Sequence, residues 1–222
     1  MAILQLFQAG GIVMVPLLLF SLAAIALSVE RAIFWFRINR RQRSVVKTVL
    51  QTYRSNPPAT YALLRKHLDL PMARIFLEAL ELEGASPSQF RLALEGATQA
   101  ELPLLKRFST VFQTIVAVAP LLGLLGTILG LIRSFSSIQL GQMGVNAEAV
   151  TGGISEALVS TAAGMVVAIF TLMAANLFRG LYKRQAALLQ EYGSQLEILY
   201  EWQYREISPA QPSEEASYAR LG

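Results

Sequence analysis

The 222-residue chain is 54% hydrophobic and 15% charged, with 19 basic residues against 15 acidic ones and a net charge of +4. Ordinary soluble domains carry about a quarter charged residues, so this composition excludes a soluble globular domain and predicts an all-α integral membrane protein. Cysteine is absent, which excludes a disulfide scaffold, a thiolate metal site and a cysteine nucleophile.

Residues 1–29, 108–132 and 157–178 contain no Asp, Glu, Lys, Arg or His. Each run reaches the roughly 20 residues that a helix needs to cross about 30 Å of hydrocarbon at about 1.5 Å per residue. The first is read as a retained helix over 12–36 after a short external N-terminus, 1–11. A cleaved signal would start with positive charge, whereas here no charge precedes Glu30, and Glu30-Arg31 leads into Phe34, Trp35 and Phe36. Pro16 falls in the first turn, where a missing N–H costs little, and Gly10-Gly11 forms a loose approach to the membrane.

Segment 37–107 reads as a run of helices. Val45, Val46, Val49 and Leu50 keep helical spacing until Asn56-Pro57-Pro58 stops them, and further helices are predicted over 59–68 and 72–83. Ser86 followed by Pro87 is a helix start. The helix it opens carries Phe90, Leu94, Ala97 and Leu102 and is expected to run past Pro103 into the second span, 108–133. His67, beside Arg65, Lys66 and Asp69, reads as a solvated surface histidine with no metal cluster to join. A short connection, 134–150, precedes the third span, 151–178. Beyond it Leu189, Tyr192, Leu196 and Leu199 recur at spacings of three and four, so 179–222 is predicted to continue as a helix that packs on those of the long loop. Pro209 and Pro212 mark a frayed tail.

Basic residues set the orientation. Segment 37–107 holds 12 of the 19, while 134–150 and the N-terminus hold none; Arg179, Lys183 and Arg184 follow the third span directly. The positive-inside rule places 37–107 and the C-terminus in the cytoplasm, with the N-terminus and 134–150 outside. Topology therefore explains the net charge, and no basic cluster interleaved with aromatics suggests nucleic acid.

Lipid does not explain a few residues. Glu156 lies near the outer end of the third span, where a carboxylate is expensive unless it faces protein, water or an ion path. It is a candidate proton-carrying group; the alternative is a residue at headgroup level. Ser160 and Gly164 continue its face, flanked by Thr161. The second span has a matching stripe in Gly123, Gly126, Thr127 and Gly130, with Thr110 and Thr114 toward its inner end. Such small residues suit close helix packing, and hydroxyls at Thr127 and Thr161 also suit a wetted lining shared with Glu156. Because the two spans run in opposite directions, Thr127 and Thr161 are expected at similar depth. Three helices enclose almost nothing, so a pore built from these stripes requires a ring of subunits with the first helix outward.

At these residues the chain resembles the MotA/TolQ/ExbB proton channel family, most closely its ExbB/TolQ branch. Three stretches carry the resemblance: Gln8 to Gly11 with Met14 to Leu18 and Glu30-Arg31; Ala119-Pro120-Leu121-Leu122-Gly123 through Gly130; and Gly153 to Leu158 with Thr161, Ala162, Gly164 and Asn176. The resemblance implies an inner-membrane pentamer around a dimeric single-pass partner of the ExbD or TolR type, driving a periplasm-spanning protein of the TonB or TolA type by proton flow. It places the pore threonines at Thr127 and Thr161 and the third-helix glutamate at Glu156, and it puts Pro120 in the glycine-rich packing seam with Gly123, Gly126, Gly130, Ser160 and Gly164. It implies neither a cofactor nor a metal. Phe170-Thr171 departs from the family, which usually has proline there, and leaves the kink of the third helix open.

Within this reading, TonB-type outer-membrane import is the first client, Tol-type envelope maintenance the second and another dedicated motor the third. A flagellar stator would need a fourth span. Two other classes are weaker. A secondary transporter usually has internal repeats and broken helices, which are not detectable here, and a purely structural scaffold would not need Glu156. An enzyme is not expected, since the sequence offers no nucleophile–base pair, metal cluster or phosphate loop.

Overall fold

A computed structural model describes residues 10–82, 84–139 and 147–207. Among the described residues it is all helical. The helices are α1 (Met14–Ser55), α2 (Pro57–Lys66), α3 (Pro71–Leu80), α4 (Pro87–Leu105), α5 (Ser109–Gln139) and α6 (Ala147–Ile207). The outermost N-terminal motif residues, Gln8 and Ala9, the middle of the second connection and the tail with Pro209 and Pro212 lie outside the described residues.

Three stretches are long and apolar enough to cross a membrane, within Met14–Ser55, Pro87–Ser136 and Val150–Glu206. Their surfaces carry Leu18, Leu19, Leu22, Ile25 and Val29 on α1, Leu121, Leu124, Leu125 and Ile128 on α5, and Leu158, Met165, Ile169 and Phe170 on α6, all exposed. Apolar surface this continuous is tolerated where the solvent is hydrocarbon. The chain is a membrane protein with three such helices.

The first span begins at Met14, and its helix continues without a break to Ser55. Asn56 then caps α2, its side chain accepting from the Ala59 N–H at 3.2 Å. Ser86 caps α4 with a complete capping box: its hydroxyl accepts from the Gln89 N–H, and Gln89 reaches back to the Ser86 N–H at 2.8 Å. The expected continuation of that helix into the second span does not occur. Pro103 sits inside α4, losing one backbone bond, and the interruption falls at residues 106–108 instead. There Phe108 takes φ 66, a left-handed conformation that costs a side-chain-bearing residue about 1–2 kcal/mol. The α6 helix has no break at Phe170-Thr171; the Thr171 hydroxyl donates to the Val167 carbonyl at 2.7 Å.

The contacts divide the chain into two compact units, residues 1–34 with 107–181, and residues 35–106 with 182–222. In the first, Val13 and Leu17 of the α1 start meet Ala119 of α5 and Ala168 of α6, with Phe20, Leu122, Leu129 and Val167 packed around them. Arg31, which the sequence left as a membrane-boundary charge, is 3% exposed. Glu30 binds it at 2.6 and 2.9 Å, and the rings of Phe34 and Phe108 lie 4.4 and 5.4 Å from its guanidinium carbon. The strained Phe108 thus presents its ring to a desolvated cation, an interaction worth up to about 2 kcal/mol.

The second unit has its own core. Eight of the ten residues of α3 are buried, and Arg74 and Glu78, one turn apart, form its narrow polar face. It packs against α2 and α4. Of the predicted stripe on α6, Leu189, Tyr192 and Leu196 are buried. Phe90 stacks on Tyr200 at 3.9 Å, the Tyr200 hydroxyl donates to Ala85 O at 2.8 Å, and Arg74 makes a two-pronged ion pair with Glu101 at 2.6 Å on both oxygens. His67 is half-buried at the end of α2, where its N–H bonds Leu64 O. Among the described residues no group of His, Cys, Asp and Glu is placed to hold a metal.

Candidate functional site

The site is built on the first unit, where α5 and α6 run antiparallel and touch through their glycines. A methyl group added at Gly123 would lie 3.0 Å from Thr161 Cα and 3.1 Å from Ser160 O; at Gly130, 2.6 Å from Gly153 O; at Gly164, 2.5 Å from Ala119 O. One added at Gly126 would collide with the Ser160 hydroxyl, and one at Gly153 with that of Ser134. Backbone therefore lies on backbone along four turns, the arrangement in which van der Waals contact replaces the missing hydrophobic drive of a lipid solvent. Pro120 is half-buried next to Ala119, and its missing N–H leaves the Val116 carbonyl without an intrahelical donor.

The hydroxyls are tied into this seam. Thr161 donates across it to Gly123 O at 3.1 Å, while Thr127 donates to Leu124 O of its own helix at 2.6 Å. The two threonines share a helix pair without bonding each other. Thr161 stands across from Gly123, four residues and so about 6 Å along the helix from Thr127, not at its level. Ser160 is fully buried and donates to Ala157 O at 2.9 Å.

Glu156 is 15% exposed, and Arg133 Nη1 lies 2.7 Å from each of its carboxylate oxygens. Its other side lies against Gly11, where an added Cβ would fall on Oε1; Gly11 has φ +68 and forms the turn before α1. Next to the ion pair, Ser134 donates to Gly130 O and to Val150 O, both at 3.1 Å. The C-terminal end of α5 is thereby stapled to the first turns of α6, and the turn before α1 closes over the carboxylate.

Arg133, which directly follows the charge-free run 108–132, was not singled out from the sequence. A signal was available: Arg133 and Glu156 are opposite charges at the same end of an antiparallel helix pair, each the first ionisable residue beyond a charge-free span.

Three apolar spans, two of them packed through glycines around embedded hydroxyls and one carboxylate, define a polytopic helical membrane protein with a polar seam. The sequence profile of the MotA/TolQ/ExbB proton channel family matches residues 67–191, more than half of the chain. The chain is 67% identical over 194 residues to the biopolymer transport protein ExbB-like 3 of Synechocystis sp., covering 87% of this chain and 92% of that protein. It is 39% identical to ExbB-like 1 of the same organism, over 95% of this chain and 83% of that protein. Against the biopolymer transport protein ExbB of Neisseria meningitidis it is 30% identical, over 77% and 84%. The chain belongs to the MotA/TolQ/ExbB proton channel family.

Proposed function

We propose that this chain is the ring subunit of a proton-driven motor in the bacterial inner membrane, with the N-terminus periplasmic and the C-terminus cytoplasmic. Copies of α5 and α6 face the centre of the ring, expected to be a pentamer, and α1 faces lipid. The centre holds the helices of a single-pass partner dimer of the ExbD type, and Glu156, Thr127 and Thr161 contribute to the proton pathway beside them. Work is delivered to a TonB-type protein that energises outer-membrane import. The observation that carries this reading is the enclosed carboxylate of Glu156 on a glycine-packed helix pair in a proton channel family.

The orientation follows from the lysine and arginine bias described above. The ring is needed because one copy offers a single polar seam and no enclosed path. Purified complex, co-expressed with a single-pass partner of the ExbD type, should give a closed-ring mass in native mass spectrometry and carry proton flux in vesicles. A monomer, or vesicles as tight as empty ones, would refute the reading. Deletion should abolish growth on scarce iron complexes. A leaky, detergent-sensitive envelope with normal iron uptake would assign the subunit to a Tol-type system instead.

A further inference from the structure

We propose that Arg133 is a positioning residue for Glu156, so that the functional unit on the proton pathway is the ion pair and not the carboxylate alone. The inference rests on the proton-pathway reading above.

Three observations converge on one point. First, residues 109–132 of α5 carry no ionisable side chain, so Arg133 is the first charge on that helix, and it is spent on the one carboxylate of the facing span. Second, the carboxylate is boxed in. Gly11 leaves no room behind Oε1, and both oxygens accept from the same Nη1 at 2.7 Å. Third, the backbone on either side of the pair is fixed, because Ser134 bonds Val150 O and Gly153 is pressed on Gly130 and Ser134.

The geometry also makes the arginine asymmetric. Its side chain is 57% exposed while that of Glu156 is 15% exposed, and a single nitrogen holds the carboxylate. A guanidinium has five N–H donors, and among the described residues Nη1 alone donates to the carboxylate. Without Arg133 the carboxylate would stay enclosed with no cation, and removing one partner from an enclosed pair is costly because the other charge is left behind. The competing role is a headgroup anchor, since arginines near span ends extend to the interface. An anchor acts independently of Glu156; a positioning residue does not.

The test uses the full complex with its single-pass partner in vesicles, scored for ring mass and for proton-gradient-dependent work. Arg133→Gln is expected to lower work at least tenfold in an intact ring and Arg133→Lys to retain most of it. The double variant R133Q/E156Q should be no weaker than E156Q, because two residues acting as a unit are not additive. Normal work in R133Q with impaired E156Q would overturn the pairing and leave the pathway reading standing, as would losses that multiply. Normal work in both would remove the pathway reading and this inference with it. If R133Q disperses the ring, the exchanged pair R133E/E156R decides: recovery of the ring upholds the pairing, and continued dispersal overturns it.

Discussion

Gly164→Ala isolates the seam from the helix that carries it. The added methyl would sit 2.5 Å from Ala119 O, 0.9 Å short of the 3.4 Å at which ordinary van der Waals contact begins, and 3.1 Å from Gly123 Cα. The obstacle is backbone on both counts, so no rotamer change relieves it and α6 must withdraw from α5. Withdrawal by most of that shortfall also stretches the 3.1 Å bond from Thr161 to Gly123 O beyond hydrogen-bond range. Overpacking costs about 1–3 kcal/mol and the lost bond about 1 kcal/mol, against a gain of about 1 kcal/mol in helix propensity. The net expectation is a loss of about 1–3 kcal/mol. Gly180→Ala is the matched control on the same helix. Nothing lies within 4 Å of its added methyl, so only the propensity gain of about 1 kcal/mol remains. Unfolding midpoints in mixed detergent micelles, followed by circular dichroism, should move in opposite directions for the two variants. If G164A proves as stable as G180A, the close approach of α5 and α6 is wrong.

Three further outcomes test other parts of the molecule. Arg74→Ala strips the two-pronged partner from Glu101, which is 8% exposed, and should cost the second unit about 1.5–3 kcal/mol in chemical denaturation; Arg74→Lys should recover part of it. Burial, with smaller contributions from Tyr61 and Tyr200, pushes the Tyr53 phenol well above its ordinary value. The protonated form is favoured in the fold, so stability is full below the unfolded tyrosine value near 10 and falls as pH rises above it. Tyr53→Phe should flatten that alkaline fall in a pH series of unfolding midpoints. Single cysteines placed at Ser44 or Ser194 should react with an impermeant thiol reagent only from the cytoplasmic side, and one at Gln142, outside the described residues, only from the periplasmic side; the chain has no native cysteine to confuse the assay.

The spans were legible because hydrocarbon tolerates no stray charge, and the three charge-free runs mark them with little ambiguity. Local chemistry was equally readable at Ser86, where a hydroxyl before proline caps its helix as its hydrogen-bonding chemistry dictates, whereas Asn56, legible as a stop, also caps the helix that starts at Pro57. The helix passes Pro103 as expected, because proline removes a single backbone bond that α4 survives, but the interruption over 106–108 carries no such local mark. The ring of Phe108 lies between Arg107 at 4.6 Å and Arg31 at 5.4 Å, and Arg31 is 77 positions away, beyond any local window of sequence. Glu156 stood out by itself, but its partner did not. An arginine at the end of a span looks like every other boundary charge until the facing helix is in place. The depth of Thr127 relative to Thr161 was likewise a matter of register, set by which glycines meet and not by the count of residues to the membrane surface.

The hydroxyls of the seam have spent their protons. Thr127 gives its own to Leu124 O, Thr161 to Gly123 O, Ser160 to Ala157 O and Thr114 to Thr110 O. A hydroxyl has one hydrogen to donate and two lone pairs, so each of these oxygens now faces its surroundings as an acceptor alone. The stripe is chemically one-sided. A water molecule beside the half-buried Thr127 would have to arrive hydrogen-first, whereas the Ser160 oxygen is fully buried and packed on Gly126. Arg133, with donors and no lone pair to offer, sits toward the C-terminal end of α5 as the chemical opposite of these oxygens.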